Sequence, residues 1–266
     1  MHEQLGIPDG QEGFVMKLHD SAGLTELHWH EELEFNLITS GSAYYVIDSR
    51  RYLLTSGTLI WLFPGQEHLL VDYTNSYTMW VVVFTRAVRD ELAANPERRD
   101  MLRPDPGRIL IRRLALGDYN RLDNLCAVVC QTTGAPDRFN TGVRFLATEG
   151  WHALLHGEKL QSGTDLSPVV AGTLRLIARA GGCVALSEVA EQLNSTPGWV
   201  SRSFHREMGL PFIAYCNRTR LMRFASLRKT HPGTPITHLA YRAGFGSYAQ
   251  FYRVYRKAHG RSPTQS

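Results

Sequence analysis

The chain has 266 residues, of which 43% are apolar and 20% charged, with a net charge of +4. That length exceeds one average domain and the composition is globular throughout, which excludes a largely disordered chain. No run approaches the roughly 18 apolar residues of a membrane helix, and the start MHEQLGIPDGQEGF lacks the pattern of a secretory leader. Four scattered cysteines make no disulfide framework. The expectation is a reduced, cytoplasmic, α+β protein of two domains with no membrane partner.

The first 85 residues alternate short apolar stretches with turn residues: LEFNLITSG, SAYYVIDS, GTLIWLFPG and TMWVVVFT. This spacing predicts the strands of an antiparallel barrel or sandwich. Within it stand Gly23-x4-His28-x-His30-x3-Glu34-x6-Gly41 and Gly57-x6-Pro64-Gly65-x2-His68. Residues two apart on a strand share a face, so His28 and His30 point together, and Glu34 follows on the next strand.

Between residues 13 and 85 the two stretches resemble the paired motifs of the cupin fold. The second has one extra residue before its proline and lacks the usual terminal asparagine. The resemblance implies an antiparallel β-barrel in which His28, His30, Glu34 and His68 converge. Three imidazoles and a carboxylate suit zinc, iron, manganese, nickel or copper. The four residues are read as an effector pocket first and a divalent transition-metal site second, with no cofactor certain. Polar pocket walls without a metal are the plainer alternative. Trp29 and Trp61 are read as core.

Residues 86–156 read mostly as helix and as the segment through which a homodimer could form. Asp118 is placed to cap a stretch carrying Leu122, Leu125, Cys126 and Val129 at helical spacing. That stripe packs either on the barrel or on a second copy. Cys126 and Cys130 read as buried thiols. The polar stretch over residues 157–167 reads as a linker.

From Ser167 onward, 14 lysines and arginines face three acidic residues, a net +11, while the remainder carries 15 against 22, a net −7. A segment this basic is the electrostatic footprint of nucleic-acid binding. Its pattern repeats. At about 100° per residue, Pro197, Val200, Phe204 and Met208 share a packing face opposite Gly198, Trp199, Arg202 and Arg206. Some fifty residues later Phe251, Tyr255 and Ala258 oppose Ala249, Gln250, Arg253 and Lys257. Shorter helices starting at Leu186 and Ile236 precede the two, and a long helix from Phe212 to Lys229 joins the units. Each unit is helix, tight turn, helix, in which the second helix enters the major groove.

Residues 168–266, ending in GFGSYAQFYRVYRKAHGRSP, resemble the DNA-binding domain of the AraC/XylS family of bacterial transcription regulators. The resemblance implies base contacts near the start of each second helix, at Gly198, Ser201 and Arg202 and at Ala249, Tyr252 and Arg253. Gly198 and Ala249 offer no side-chain donor, so Arg202 and Arg253 carry more of the readout. Arg206, Arg218, Arg220, Arg223, Arg256 and Lys257 are assigned to phosphates. The partners implied are double-stranded promoter DNA, a small-molecule effector and RNA polymerase. The leading reading is therefore a sequence-specific transcription regulator, not an enzyme, with a cupin-like domain that senses a small molecule or metal. Two others compete: a metal-dependent cupin enzyme with an accessory helical domain, and an architectural DNA binder without effector.

Overall fold

The computed structural model describes residues 2–19, 27–73, 76–102, 110–160 and 163–265, so Gly23 of the first motif lies outside the described residues. The chain divides into two compact units, one comprising His28–Asp165 with the N-terminal segment, the other Leu166–Ser266.

The first unit holds two antiparallel sheets. The larger runs in the order β1 (Gly13–His19), β7 (Thr78–Phe84), β2 (Leu33–Ser40), β5 (Thr58–Leu62), β8 (Leu110–Arg113), β9 (Glu158–Lys159). The smaller runs β10 (Thr164–Asp165), β4 (Arg50–Thr55), β3 (Ser42–Ile47), β6 (His68–Tyr73). The four apolar stretches of the sequence are β2, β3, β5 and β7. The expected barrel is an open two-sheet sandwich of cupin type, because no strand ladder joins one sheet to the other among the described residues.

Helices cover one face of the larger sheet, which is why β2 is buried on both sides. Phe35, Trp61 and Phe84 pack against Phe139, Val143, Leu146 and Trp151 of the second of two helices, α2 (Leu116–Cys130) and α3 (Pro136–His156). A Cβ on Gly150 would lie 2.8 Å from the Phe35 ring and 3.2 Å from Trp61, so the bare backbone lets α3 approach the sheet. With Leu33, Phe35 and Leu37 turned to this core, the intervening Glu34 and Asn36 face the opposite side.

Among the described residues, 86–156 are mostly helical, as read, with β8 after α1 (Arg86–Leu92) added to the larger sheet beside β5. Other expectations for this unit need correction. Asp118 does not cap α2, whose N-cap is Ala115; it lies in the first turn and accepts from Arg121 instead. The α2 stripe of Leu122, Cys126 and Val129 is buried in the unit's own core. Residues 157–167 are not a free linker, since extended backbone there finds partners in both sheets, β9 on β8 and β10 on β4. Trp61 is core, but Trp29 is only half-buried and packs on the His2 ring, 4.5 Å between centroids.

The second unit is all helical. It begins with a helix that the sequence reading did not separate, α4 (Pro168–Arg179), capped by Ser167 and buried along Val170, Leu174 and Ile177. Then come α5 (Leu186–Gln192), α6 (Pro197–Met208), α7 (Phe212–Thr230), α8 (Ile236–Arg242) and α9 (Tyr248–His259). Thr196 and Ser247 cap α6 and α9 through their hydroxyls, and Gly209 and Gly260 end them in the left-handed conformation. The turns match as well. Asn194 and Gly244 have φ of 47° and 99°, and the next N–H in each returns to an alanine carbonyl, Ser195 to Ala190 and Phe245 to Ala240. The second turn is one residue longer. Val200, Phe204 and Met208 are buried, as are Phe251 and Tyr255, whereas Pro197 and Ala258, expected on the packing faces, are exposed at the helix ends.

Candidate functional site

The two recognition helices present their cations outward. Arg202 and Arg253 are exposed, and Gly198 and Ala249 lie exposed beside them. Gly198 lies next to the Arg202 guanidinium: a Cβ there would stand 3.2 Å from Nη1, a close contact that the exposed, flexible arginine can relieve. Ser201 and Tyr252 are half-buried at the flank of each face.

Arg206 pairs with Glu207 at 3.0 Å and lies over the Trp199 ring, 6.0 Å from its centroid. Arg218, Arg223, Arg256 and Lys257 are exposed. Arg223 lies against the Gly181 turn, where an added Cβ would meet its Nη1 at 2.5 Å. Arg220 differs from expectation: it is half-buried and donates to Asn217 at 3.3 Å, which makes it the least available of the six. The faces are held by aromatic packing behind them. Phe204 meets Tyr215 at 5.5 Å, and Phe224 meets Phe251 at 4.5 Å.

In the first unit the three histidines converge. His28 and His68 exchange both backbone hydrogen bonds, at 3.1 and 2.9 Å, a narrow antiparallel pair that sets their rings 4.1 Å apart. His30 stands 5.1 Å from His68, and its carbonyl is held by the Gly65 N–H of the second motif. All three are buried, and one nitrogen of each lies within 4.8 Å of the others.

Backbone carbonyls set the ring orientations. His30 Nδ1 faces the Glu32 carbonyl at 3.1 Å and His68 Nδ1 the Gln66 carbonyl at 2.9 Å. Protonation of Nδ1 at both leaves Nε2 with a free lone pair, the arrangement a metal-binding imidazole uses. His30 Nε2 is fully buried and makes no hydrogen bond, with Glu34 Oε2 3.2 Å away.

Glu34 meets the cluster through His30, and its oxygens lie outside the three-nitrogen set. Its carboxylate lies against His30, and Asn36, itself reaching Tyr45, donates to its other oxygen at 2.7 Å. Burial pushes the Glu34 carboxyl up, but His30, His68 and Asn36 outweigh it and hold the pKa at about 2. Burial, with the neighbouring His28 ring, pushes His68 down to about 3. His30 is also driven down by burial, yet Glu34, Glu32 and Glu3 raise it above its ordinary value. The sequence reading missed one member of this neighbourhood: Glu3 Oε2 lies 3.2 Å from His28 Nε2. No motif spacing links position 3 to position 28.

Two surface cavities of the same unit lie elsewhere. One of about 590 Å³ is lined by Tyr44, Arg51, Leu53, Ile111, Arg113 and Lys159 among others, and one of about 340 Å³ by Arg98, Arg121, Glu149 and Trp151 among others. No described helix is long and apolar enough to cross a membrane.

Paired helix-turn-helix units following a two-sheet domain with a buried polar cluster define a DNA-binding regulator with a ligand-binding domain. Comparison with known proteins agrees: residues 19–122 match the AraC-like ligand binding domain, and residues 189–266 match a helix-turn-helix domain. Relatives include two HTH-type transcriptional activators RhaS from Escherichia coli strains, 24% and 25% identical over 246 residues, each alignment covering 89% of this chain and 85% of the relative. Among solved structures, unsaturated fatty acid bound ToxT from Vibrio cholerae aligns over 94% of this chain and 92% of its own, at 17% identity and a TM-score of 0.38. The C-terminal domain of AraT, a response regulator from Geobacillus stearothermophilus, aligns over 38% of this chain and 84% of its own, at 32% identity and a TM-score of 0.35. The chain belongs to the AraC/XylS family of transcription regulators.

Proposed function

We propose that the second unit reads a bipartite promoter site through Arg202 and Arg253, and that the histidine cluster of the first unit senses the effector through a bound divalent transition metal. The observation that supports the DNA half is the equivalence of α6 and α9, each capped alike, each ended by a left-handed glycine and each exposing one arginine at the same helical position. Arg206, Arg218, Arg223, Arg256 and Lys257 serve phosphates, with Arg220 a minor contributor. Gly198 lies beside Arg202, and Ser201 and Tyr252 border the contact. RNA polymerase and a second copy of the chain complete the partners, in the compartment that holds the promoter.

Charge supports the metal. Glu3, Glu32 and Glu34 surround three imidazoles, of which His68 is held neutral. Such a field attracts a dication and repels an acidic molecule entering alone. His28, His30 and His68 would hold the ion, with Glu34 against His30. When bound, the metal supplies a Lewis-acidic position for an effector oxygen. The chain's own residues orient the imidazoles through the Glu32 and Gln66 carbonyls and keep Glu34 ionised through Asn36. The metal-enzyme reading shares this cluster, but its relatives are transcription regulators.

A fluorescence-anisotropy titration of the full chain against genomic promoter fragments and random duplex tests the DNA reading. Preferential binding that falls steeply with salt is expected. Equal affinity for every duplex would refute it.

A further inference from the structure

The N-terminal segment is fastened beside the histidine cluster. Glu3 N–H donates to the Trp29 carbonyl at 2.8 Å, His2 bridges to Trp29 and packs on its indole, and the Glu3 carboxylate meets His28 Nε2 at 3.2 Å. Two ligands of one tetrahedral ion at about 2.1 Å stand about 3.4 Å apart. The Glu3–His28 separation therefore suits neighbouring positions on a single ion, although Glu3, like Glu34, stands outside the set of nitrogens that already lie within 4.8 Å of one another and must close on it when an ion binds.

The carboxylates around the cluster are not equivalent. Glu34 is buried, 9% exposed at the side chain, and fixed by Asn36. Glu3 is 47% exposed at the side chain. It is the one that can leave.

We propose that Glu3 is the exchangeable oxygen ligand of this centre and that the effector is a small carboxylate that displaces it, releasing the N-terminal segment from Trp29. The inference rests on the reading of His28, His30 and His68 as a metal site. The buried Nε2 of His30, which makes no hydrogen bond and has only the Glu34 carboxylate 3.2 Å away, supports that site independently of Glu3. Glu3 thereby reserves the open coordination position in the resting protein and gives effector capture a mechanical output. Exchange of one carboxylate for another leaves the charge at the metal unchanged, so the competition turns on local concentration and fit.

The test loads the tag-free full chain with Co²⁺, whose visible bands report coordination, and compares it with Glu3→Gln, Glu3→Ala and His30→Ala. Both Glu3 variants are expected to bind Co²⁺ about tenfold more weakly and to show altered bands. Acetate, used as the probe carboxylate, should perturb the bands of both variants at lower concentration than in the parent, because the internal competitor is gone. Unchanged affinity, bands and acetate midpoint in both Glu3 variants would overturn the role of Glu3 while leaving the metal site standing. If the parent chain takes up no more Co²⁺ than His30→Ala, the metal reading fails and the inference falls with it.

Discussion

A Cβ placed on Gly244 would lie 1.9 Å from the Cys183 sulfur, well inside contact distance. Gly244 forms the turn between α8 and α9 at φ 99°, a conformation open to glycine and costly for other residues. Clash and backbone strain thus coincide at one position. Gly244→Ala is expected to destabilise the second unit by about 2 kcal/mol or more. Adding Cys183→Ala should restore part of the loss, since the clash goes and the strain remains. Chemical denaturation of the full chain, followed at the transition of the second unit, measures both; a neutral Gly244→Ala would show that the turn can open.

Arg202→Ala and Arg253→Ala are expected to act on separate halves of the operator. A bidentate arginine–guanine contact contributes about 1–3 kcal/mol of discrimination. Each variant should therefore lose preference at one cluster of base pairs, the two clusters lying about ten base pairs apart. Selection from a randomised duplex pool reads this directly. Uniform weakening with a smaller salt slope would instead make both arginines phosphate contacts.

Acid should destabilise the first unit in two stages. His68 is held neutral in the fold, with its pKa lowered to about 3, so its contribution is complete above pH 6.5 and declines as pH falls from there toward 3. Glu34, lowered to about 2, adds a further loss as pH falls through 4.5. His30, raised by its carboxylates, works the other way and favours the fold as pH drops toward 6.5. The magnitude from His68 alone is about 2 kcal/mol at pH 5. Denaturation of the parent and of His68→Gln across pH 7 to 4 separates the stages: the variant should show a flatter curve between 6.5 and 5, and parallel curves would contradict the assignment.

Metal removal gives an independent measurement. An ion that binds only the folded state stabilises it by about 2.7 kcal/mol at a hundredfold excess over its dissociation constant. Dialysis against a chelator should therefore lower the first unit's melting temperature, and zinc should restore it. His30→Ala should melt at one temperature with or without zinc. A parent protein equally indifferent to both treatments would leave the cluster without a metal.

The helical unit was the more legible part of the sequence because its signals are local. Thr196 and Ser247 mark helix starts and Gly209 and Gly260 mark ends, all within a turn of the residues they govern. Arg202 and Arg253 could be paired by periodicity alone. In the sheet unit the strands of continuous apolar character were readable, whereas β8, four residues long, has no pattern of its own and exists because β5 offers it partners. The site divides in the same way. His28 and His30 declare a common face, and the resemblance to cupin motifs supplies His68. Glu34 is read from the same motif as a member of the cluster, but its tie to Asn36 is not legible, since two residues on one strand face only show a hydrogen bond once side-chain angles are known. Glu3 was invisible because its partnership with His28 depends on the path of the intervening chain.

The two short strands β9 and β10 have a bearing on self-association. Among the described residues β9 occupies the outer backbone groups of β8, and β10 those of β4, where Arg50 also pairs with Asp165. Unpaired groups of that kind are templates on which another chain can add a strand. With two residues on each, the segment that follows α3 covers part of one edge of either sheet and leaves less of the β8 and β4 backbone open to a strand from another chain.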